Sequence, residues 1–176
     1  RSANVFDLAY KRFLDLEKAE SQAREAQIEA ALEKIRSRSL AMHHSDELRE
    51  VIAMVYIKLC ELKVKHDTIA IQVFDFDTKS SVFWPRNSLQ KVAPKVVFPY
   101  DERIMNEDTC HRYLWEAMAT GKSIINKVYT KQQKDRWFEY IFTHNDYTVI
   151  EEHSRQFLLQ LEILTVCFFP ERYSGC

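Results

Sequence analysis

The fold of this chain is decided by residues 4–40, which read NVFDLAYKRFLDLEKAESQAREAQIEAALEKIRSRSL. The stretch has no glycine and no proline, and Ala, Glu, Lys, Arg, Gln and Leu, all strong helix formers, make up most of it. A single helix over these residues would be roughly 55 Å long. A compact domain built from all 176 residues would have a radius of gyration of only about 16 Å. The sequence therefore predicts a long N-terminal helix that projects from its own domain.

Apolar side chains recur every three or four residues along this helix, which indicates a continuous interaction face. The face is aromatic near the N-terminus, consists of small residues in the middle and becomes aliphatic again near the C-terminus. Because the pattern is not a strict Leu/Ile heptad, we expect two in-register helices with a close, weakly packed middle rather than a fully zipped coiled coil. A solvated helix that folds back on its own domain is the alternative. The residues expected at the dimer interface are Phe6, Tyr10, Phe13, Ala23, Ile28, Ala30, Leu32 and Ile35.

The charge balance argues against nucleic acid and anionic membranes as partners. The formal net charge is −1, and the chain has no basic tract. The longest apolar run, residues 157–169, is interrupted by Gln160 and Glu162, so we expect no membrane contact by this fragment. We also expect the chain to be a piece of a longer protein, because it begins inside a predicted helix.

The cysteines indicate a reducing compartment. None of the four has the C-x-x-C spacing, and each lies within or beside an apolar run, as free thiols of a cytoplasmic protein do. These residues are Cys60, Cys110, Cys167 and Cys176.

The rest of the chain reads as α+β. We expect a fresh helix N-cap at Ser45 or Asp46, a strand over residues 68–76 with both faces largely buried, and a helix over residues 107–120 that ends at Gly121. Short apolar runs predict further strands, and two capping-box patterns predict helix starts. The further strands are expected at residues 81–84, 95–98, 123–126 and 165–169, and the capping boxes at residues 130–133 and 148–151.

The sequence also resembles a known family. The run from Ala23 to His43 and the following residues 45–48 are similar to the helical linker that leads into GAF domains of bacterial sensor proteins, often upstream of histidine kinases. The resemblance implies a signalling and dimerisation helix over residues 1–44. It implies a GAF-like domain over residues 45–176, with a central antiparallel sheet flanked by helices. A GAF sheet has one more strand, paired near its centre, than this chain supplies, so that strand is either truncated or provided by another chain.

Five residues are candidates for a small-molecule site in such a domain. Aromatic residues with a few polar groups line ligand pockets, and Cys110 and His111 lie beside acidic residues at the start of a predicted helix. The segment from Cys110 to Leu114 is also similar to the tetrapyrrole-attachment segment of phytochrome-like GAF domains. A core-facing stripe explains it as well, and the cofactor stays unknown. The candidate ligand-binding residues are Trp84, Asp101, Cys110, His111 and Trp115.

These observations favour a regulatory module over an enzyme. The six histidines have no metal-ligand spacing, and the two glycines form no phosphate-binding loop. The function that we expect is a cytoplasmic sensor module of a bacterial signal-transduction protein. It would dimerise through its N-terminal helix and bind a small molecule in a GAF-like cavity. The alternative is a ligand-free structural dimerisation domain.

Overall fold

The structure, a computed structural model, describes residues 2–90, 92–106, 109–121, 125–144 and 151–169. It is an α+β protein, as the sequence predicts. The chain divides into two compact units, residues 1–69 and 70–176. The predicted division at residue 44 follows the end of the long helix, whereas the first compact unit also includes the next helix.

The first unit is built on a single long helix, α1, from Ser2 to Leu40. At 1.5 Å per residue its length is about 58 Å. The described side chains from Phe6 to Ala30 are all exposed, and the first buried one is Ala31. The second helix, α2 (Leu48–Glu61), contacts α1 and buries Val51 and Ile52.

A cluster of charged groups fixes the junction between the two helices. One oxygen of the Glu47 carboxylate, in a short 3-10 turn, accepts hydrogen bonds from the backbone N–H groups of His43 (3.0 Å) and His44 (3.1 Å). Its other oxygen accepts from Arg38 of α1 at 3.0 Å, and the same guanidinium group also pairs with Glu50. The prediction of an N-cap at Ser45 or Asp46 is wrong, because both residues lie inside the 3-10 turn, whose N-cap is His44, and the N-cap position of α2 is Glu47.

The second unit contains a three-stranded sheet in the order β1-β2-β3. β2 and β3 are antiparallel and place Phe83 opposite Val96. The prediction that both faces of β1 are buried is wrong, since Val73 is 49% exposed. The strands are β1 (Thr68–Asp75), β2 (Ser80–Asn87) and β3 (Val96–Phe98).

A separate two-stranded antiparallel sheet pairs β4 (Ile125–Thr130) with β5 (Ile163–Phe168). The burial of β5 alternates, so that Leu164, Val166 and Phe168 face inward. The sequence predicts one central sheet, whereas the described strands form two. No described strand hydrogen-bonds both to β1 and to β5, so no strand joins the two sheets.

Four helices complete the part of the second unit that the structure describes. Thr109 caps the helix α4 by accepting a hydrogen bond from the Arg112 backbone N–H at 3.1 Å, and Gly121 ends it in the left-handed conformation at φ 64°. The helix therefore begins later than predicted, and residues 107–108 lie outside the described residues. The helix α3 was not predicted. The helices are α3 (Glu102–Asn106), α4 (Cys110–Thr120), α5 (Lys131–His144) and α6 (Glu152–Gln160).

The capping box before α5 is confirmed. The Thr130 backbone N–H donates to Gln133 Oε1 at 3.0 Å, and the Gln133 backbone N–H donates back to Thr130 Oγ1 at 3.4 Å. The box predicted at residues 148–151 and the start of the strand predicted at residue 123 lie outside the described residues. The core between α5 and the three-stranded sheet is formed by Val96, Phe98, Phe138 and Ile141.

A buried lysine joins α5 to α6. The side chain of Lys134 is fully buried, and its Nζ donates to the carbonyl oxygens of Leu158 (2.8 Å) and Leu159 (3.1 Å) at the end of α6. It also pairs with the carboxylate of Asp135 and lies 5.4 Å from the Phe138 ring centroid. The ammonium group thus donates to carbonyl groups that have no partner within the last turn of α6. Its charge also interacts favourably with the negative end of the helix dipole.

We predict that Lys134→Met lowers the free energy of unfolding by about 2 kcal/mol, because the Leu158 carbonyl group and the Asp135 carboxylate lose the buried ammonium group that donates to them. Lys131→Met is the matched control. Lys131 Nζ binds the same Asp135 carboxylate (2.8 Å) and the same Leu159 oxygen (3.2 Å), but its side chain is 45% exposed. The control should therefore lose clearly less stability. Urea denaturation followed by circular dichroism measures both changes, and equal losses would contradict the assignment.

Candidate functional site

The helix α4 brings together three of the five residues predicted to bind a ligand. Cys110, His111 and Trp115 lie within its first two turns, and all three are buried. Thr109 determines where α4 begins, because its side chain caps the first turn. The start of the helix in turn determines which side chains face the interior. The three side chains are therefore part of the packed interior of the second unit.

His111 is held as a neutral imidazole. Its Nε2 accepts a hydrogen bond from the indole N–H of Trp115 at 3.0 Å, so the proton of the neutral ring is on Nδ1. The ring packs on Phe98 with centroids 4.9 Å apart. Burial lowers the pKa of His111 to about 4, because the low-polarity surroundings disfavour the charged form. At neutral pH His111 can orient a hydrogen-bonding group, but it is not a cation.

Cys110 is an unreactive thiol in this structure. Burial raises its pKa to about 12, although the charge of Lys127 and a hydrogen bond from Tyr129 act in the opposite direction. A thiol with this pKa stays protonated at neutral pH, whereas both nucleophilic attack and metal binding need the thiolate. Its surroundings are therefore those of a structural cysteine.

The remaining candidates have separate environments. Trp115 makes edge-to-face contacts with Phe74 (4.9 Å) and Phe76 (5.4 Å). Trp84 is buried in β2, and its indole N–H has no hydrogen-bond partner in the described part of the chain. Asp101 precedes α3, where its carboxylate pairs with Arg103 at 2.8 Å. The structure thus links three of the five predicted residues on α4, and Asp101 forms its ion pair elsewhere.

A lysine that the sequence did not single out packs between two tyrosines beside Cys110. Nζ of Lys127 lies 4.8 Å from the Tyr113 ring centroid and 4.9 Å from that of Tyr129, so the cation contacts both rings. The predicted strand ended at Asn126, one residue too early to include Lys127. Lys127 and Tyr129 are two residues apart, so on a strand that includes both of them their side chains lie on the same face. This spacing is the signal in the sequence that indicates their contact.

A second candidate site is the apolar face of α1. Phe6 is 76% exposed, Tyr10 65% and Phe13 55%, and these large side chains lie within about 60° of one another around the helix. Leu16 is also exposed at the edge of this group. We call these four residues the aromatic face. Isolated apolar side chains are normal on protein surfaces, but a contiguous group of this kind marks an interaction site.

Further along α1, the predicted interface residues lie near α2. Ala31 is buried, Ile35 is half-buried, and Ile28 and Leu32 are exposed only slightly beyond one third. A shallow groove runs between the two helices there, and Ala30 is one of its lining residues. Ala23 lines a second shallow groove closer to the N-terminus. In this part of α1 the chain's own second helix already covers part of the predicted face.

Comparisons of this chain with protein-family models, with curated proteins and with solved structures gave no match. Among the described residues, every helix is too short or too polar to cross a lipid bilayer. In the same part of the chain, His, Cys, Asp and Glu side chains form no group of three or more that could hold a metal ion.

We predict a loss of stability in mild acid that depends on His111. Its pKa is lower in the folded chain, about 4, than the ordinary value of 6.5, so the unfolded chain binds the proton first. The free energy of unfolding should fall as the pH drops from about 6.5 to about 4, by a total of about 3 kcal/mol. His111→Gln should remove this loss, because the amide oxygen still accepts from Trp115 but does not titrate.

Urea denaturation of both proteins at pH values from 7 to 4 tests this expectation. The carboxylates of Glu47 and Asp135 also have lowered pKa values and contribute to acid unfolding in both proteins. The difference between the two curves therefore isolates the histidine. Parallel curves over this range would contradict a neutral, buried His111.

Proposed function

We propose that this chain is a regulatory sensor module of a bacterial signal-transduction protein, with a GAF-like domain that dimerises through α1. The observation that carries the proposal is the aromatic face, four large apolar side chains exposed on a helix about 58 Å long. The proposal includes a cytoplasmic location, which follows from the cysteine pattern, and a place in a two-component type of pathway, which follows from the family resemblance.

A second copy of the chain is the partner that fits this face best. Covering a large apolar side chain contributes about 1.5–3 kcal/mol, and a symmetric dimer covers each such residue twice. The small residues in the middle, such as Ala23 and Ala30, allow close approach of two helices but bury little area. The pairing energy is therefore concentrated near the N-terminus, and the middle can change its packing at little energetic cost.

That distribution suits a signalling helix. A segment with little buried area has a small energy difference between alternative pairings, so a modest difference in ligand affinity can shift the population. The charge cluster of Arg38, Glu47 and Glu50 connects such a change to α2. A signal in this proposal is a change in how two copies of α1 pair.

The arrangement of the strands supports the GAF-like part of the proposal. In the described residues β1 has only β2 as a neighbour, and β5 has only β4. Phe74 of β1 and Phe168 of β5 nevertheless pack together, with ring centroids 6.2 Å apart, and both contact the cluster around Cys110. One further strand, hydrogen-bonded to both β1 and β5, would join the two sheets into one. An experimental structure with β1 and β5 in unrelated sheets would overturn this part.

The second candidate function is a structural dimerisation domain without a ligand. The packing of Cys110, His111 and Trp115 favours it, because their neighbours already fill the space in which a ligand would contact them. Native mass spectrometry of the purified chain distinguishes the two functions. A dimer that retains a small molecule supports the sensor, and a dimer with only the polypeptide mass supports the structural domain.

We predict that Phe13→Glu weakens dimerisation by roughly 100-fold, because two copies of a buried aromatic residue are lost. Leu8→Glu is the matched control. Leu8 is 56% exposed, like Phe13, but lies about 140° away around the helix. The control variant should dimerise as the unchanged protein does. Sedimentation equilibrium over a range of concentrations gives both dissociation constants.

Two results would overturn dimerisation through the aromatic face. One is an unchanged chain that stays monomeric at millimolar concentration. The other is an equal effect of Phe13→Glu and Leu8→Glu, which would show that added charge rather than the face is responsible. Circular dichroism at 222 nm verifies that α1 stays helical in each variant.

A further inference from the structure

The last turn of α2 places a cysteine beside a histidine on the surface of the first unit. Sγ of Cys60 lies 3.9 Å from Nε2 of His66, a hydrogen-bonding distance for sulfur. Cys60 is a free, exposed cysteine. Neither residue belongs to the group of Cys110, His111 and Trp115 on α4 or to the aromatic face. We refer to the two as the thiol–imidazole pair.

A tight reversal of the chain builds this pair. Lys63 adopts the left-handed conformation at φ 56°, and its backbone N–H donates to the carbonyl oxygen of Cys60 at 3.0 Å. The next N–H, of Val64, donates to Leu59 at 3.0 Å. These bonds end α2 and return the chain over its last turn. His66 is thereby brought back to the helix, where its ring packs edge-on against Tyr56 at 5.0 Å.

The hydrogen bonds of His66 determine which of its nitrogens is basic. Nδ1 lies 2.7 Å from the carbonyl oxygen of Val64. A carbonyl oxygen only accepts, so Nδ1 carries the proton of the neutral ring. The lone pair on Nε2 therefore points to the thiol of Cys60. A nucleophile next to a base that a third group orients is the arrangement that activates cysteine in enzymes.

We propose that Cys60 is a nucleophilic thiol that reacts with hydroperoxides, with His66 as the base that takes its proton. Because Cys60 is exposed rather than enclosed, reagents are selected by their reactivity and not by the shape of a pocket. This favours a small electrophile that arrives from solvent. Hydrogen peroxide is the simplest reagent of this class.

The reaction is balanced within the pair and its reagent. Nε2 of His66 takes the thiol proton, and the Cys60 thiolate attacks one peroxide oxygen while the O–O bond breaks. The leaving hydroxide takes a proton from the His66 imidazolium and departs as water. Sulfur is oxidised by two electrons to the sulfenic acid, and the peroxide is reduced. The imidazole returns to its starting state.

The chain contains its own reference for this chemistry. Cys167 is also a free, exposed cysteine, and within the described residues its thiol has no hydrogen-bond partner. Cys110 is buried, and its high pKa keeps it unreactive in the folded chain. A difference in rate between Cys60 and Cys167 therefore reports on the histidine and not on exposure alone.

The test is exposure of the folded chain to hydrogen peroxide in the presence of dimedone, followed by quantification of each modified cysteine by peptide mass spectrometry. Dividing each rate by the rate of the same cysteine in urea removes the effect of neighbouring sequence. We expect Cys60 to react roughly tenfold faster than Cys167. His66→Gln should reduce the Cys60 rate to that of Cys167 and leave the Cys167 rate unchanged.

Two outcomes would overturn the proposal: equal normalised rates of Cys60 and Cys167 in the unchanged chain, or a Cys60 rate that His66→Gln does not alter. The first comparison needs no variant, so it holds even if the substitution disturbs folding. Modification of Cys110 signals unfolding in any sample. The inference does not rest on dimerisation, and repeating the measurement on Phe13→Glu keeps the two questions separate.

Discussion

The structure depends on a mismatch of length between its first two helices. α1 runs for about 58 Å and α2 for about 21 Å, so α2 can cover only about a third of its neighbour. The covered part is the one that contains Ala31, where a small side chain allows close helix packing. The aromatic residues lie on the uncovered part. The pairing of α1 with α2 leaves this apolar area in water. Its burial by a partner would therefore be favourable.

The second unit follows a different principle, because its interior contains several polar groups that are kept neutral. His111 is uncharged and accepts from an indole, and Cys110 is a protonated thiol. Burying an ionised group without a partner would be far more costly than burying either of these. Lys134 differs among the described residues, since its buried ammonium group donates to two carbonyl oxygens and a carboxylate. Of these three buried groups, two thus lack charge and the third is surrounded by acceptors.

Composition and local periodicity predict the helices of this chain better than its strands. α1 could be predicted because its residues favour a helix in any context, and the box of Thr130 and Gln133 could be predicted because both partners are close in sequence. The end of β2 could not. Pro85 indicates a strand end, but β3 is too short to reach it, so the missing N–H breaks no hydrogen bond to β3.

The sites show the same limit. Lys134 lies in a polar run that reads as a solvated helix surface, and only the position of α6 explains its burial. Likewise, Cys60 and His66 follow no regular spacing, and the left-handed residue between them is a lysine rather than the glycine that such a position favours. On α4, by contrast, the apolar stripe and the glycine cap were sufficient to indicate a core-facing helix. The resemblance to GAF domains stays a proposal.

The guanidinium group of Arg38 has a mechanical consequence. Because it binds both Glu47 and Glu50, a roll of α1 about its axis by one residue would move its charge relative to both carboxylates. From Ala31 back to Ser2 the helix is a rigid lever of about 44 Å, so a tilt of about 10° at its fulcrum would displace the tip by about 8 Å. Arg38 lies about 10 Å beyond Ala31 and would move by about 2 Å in the same tilt, so a small displacement at the ion pair becomes one longer than a helical turn at the far end.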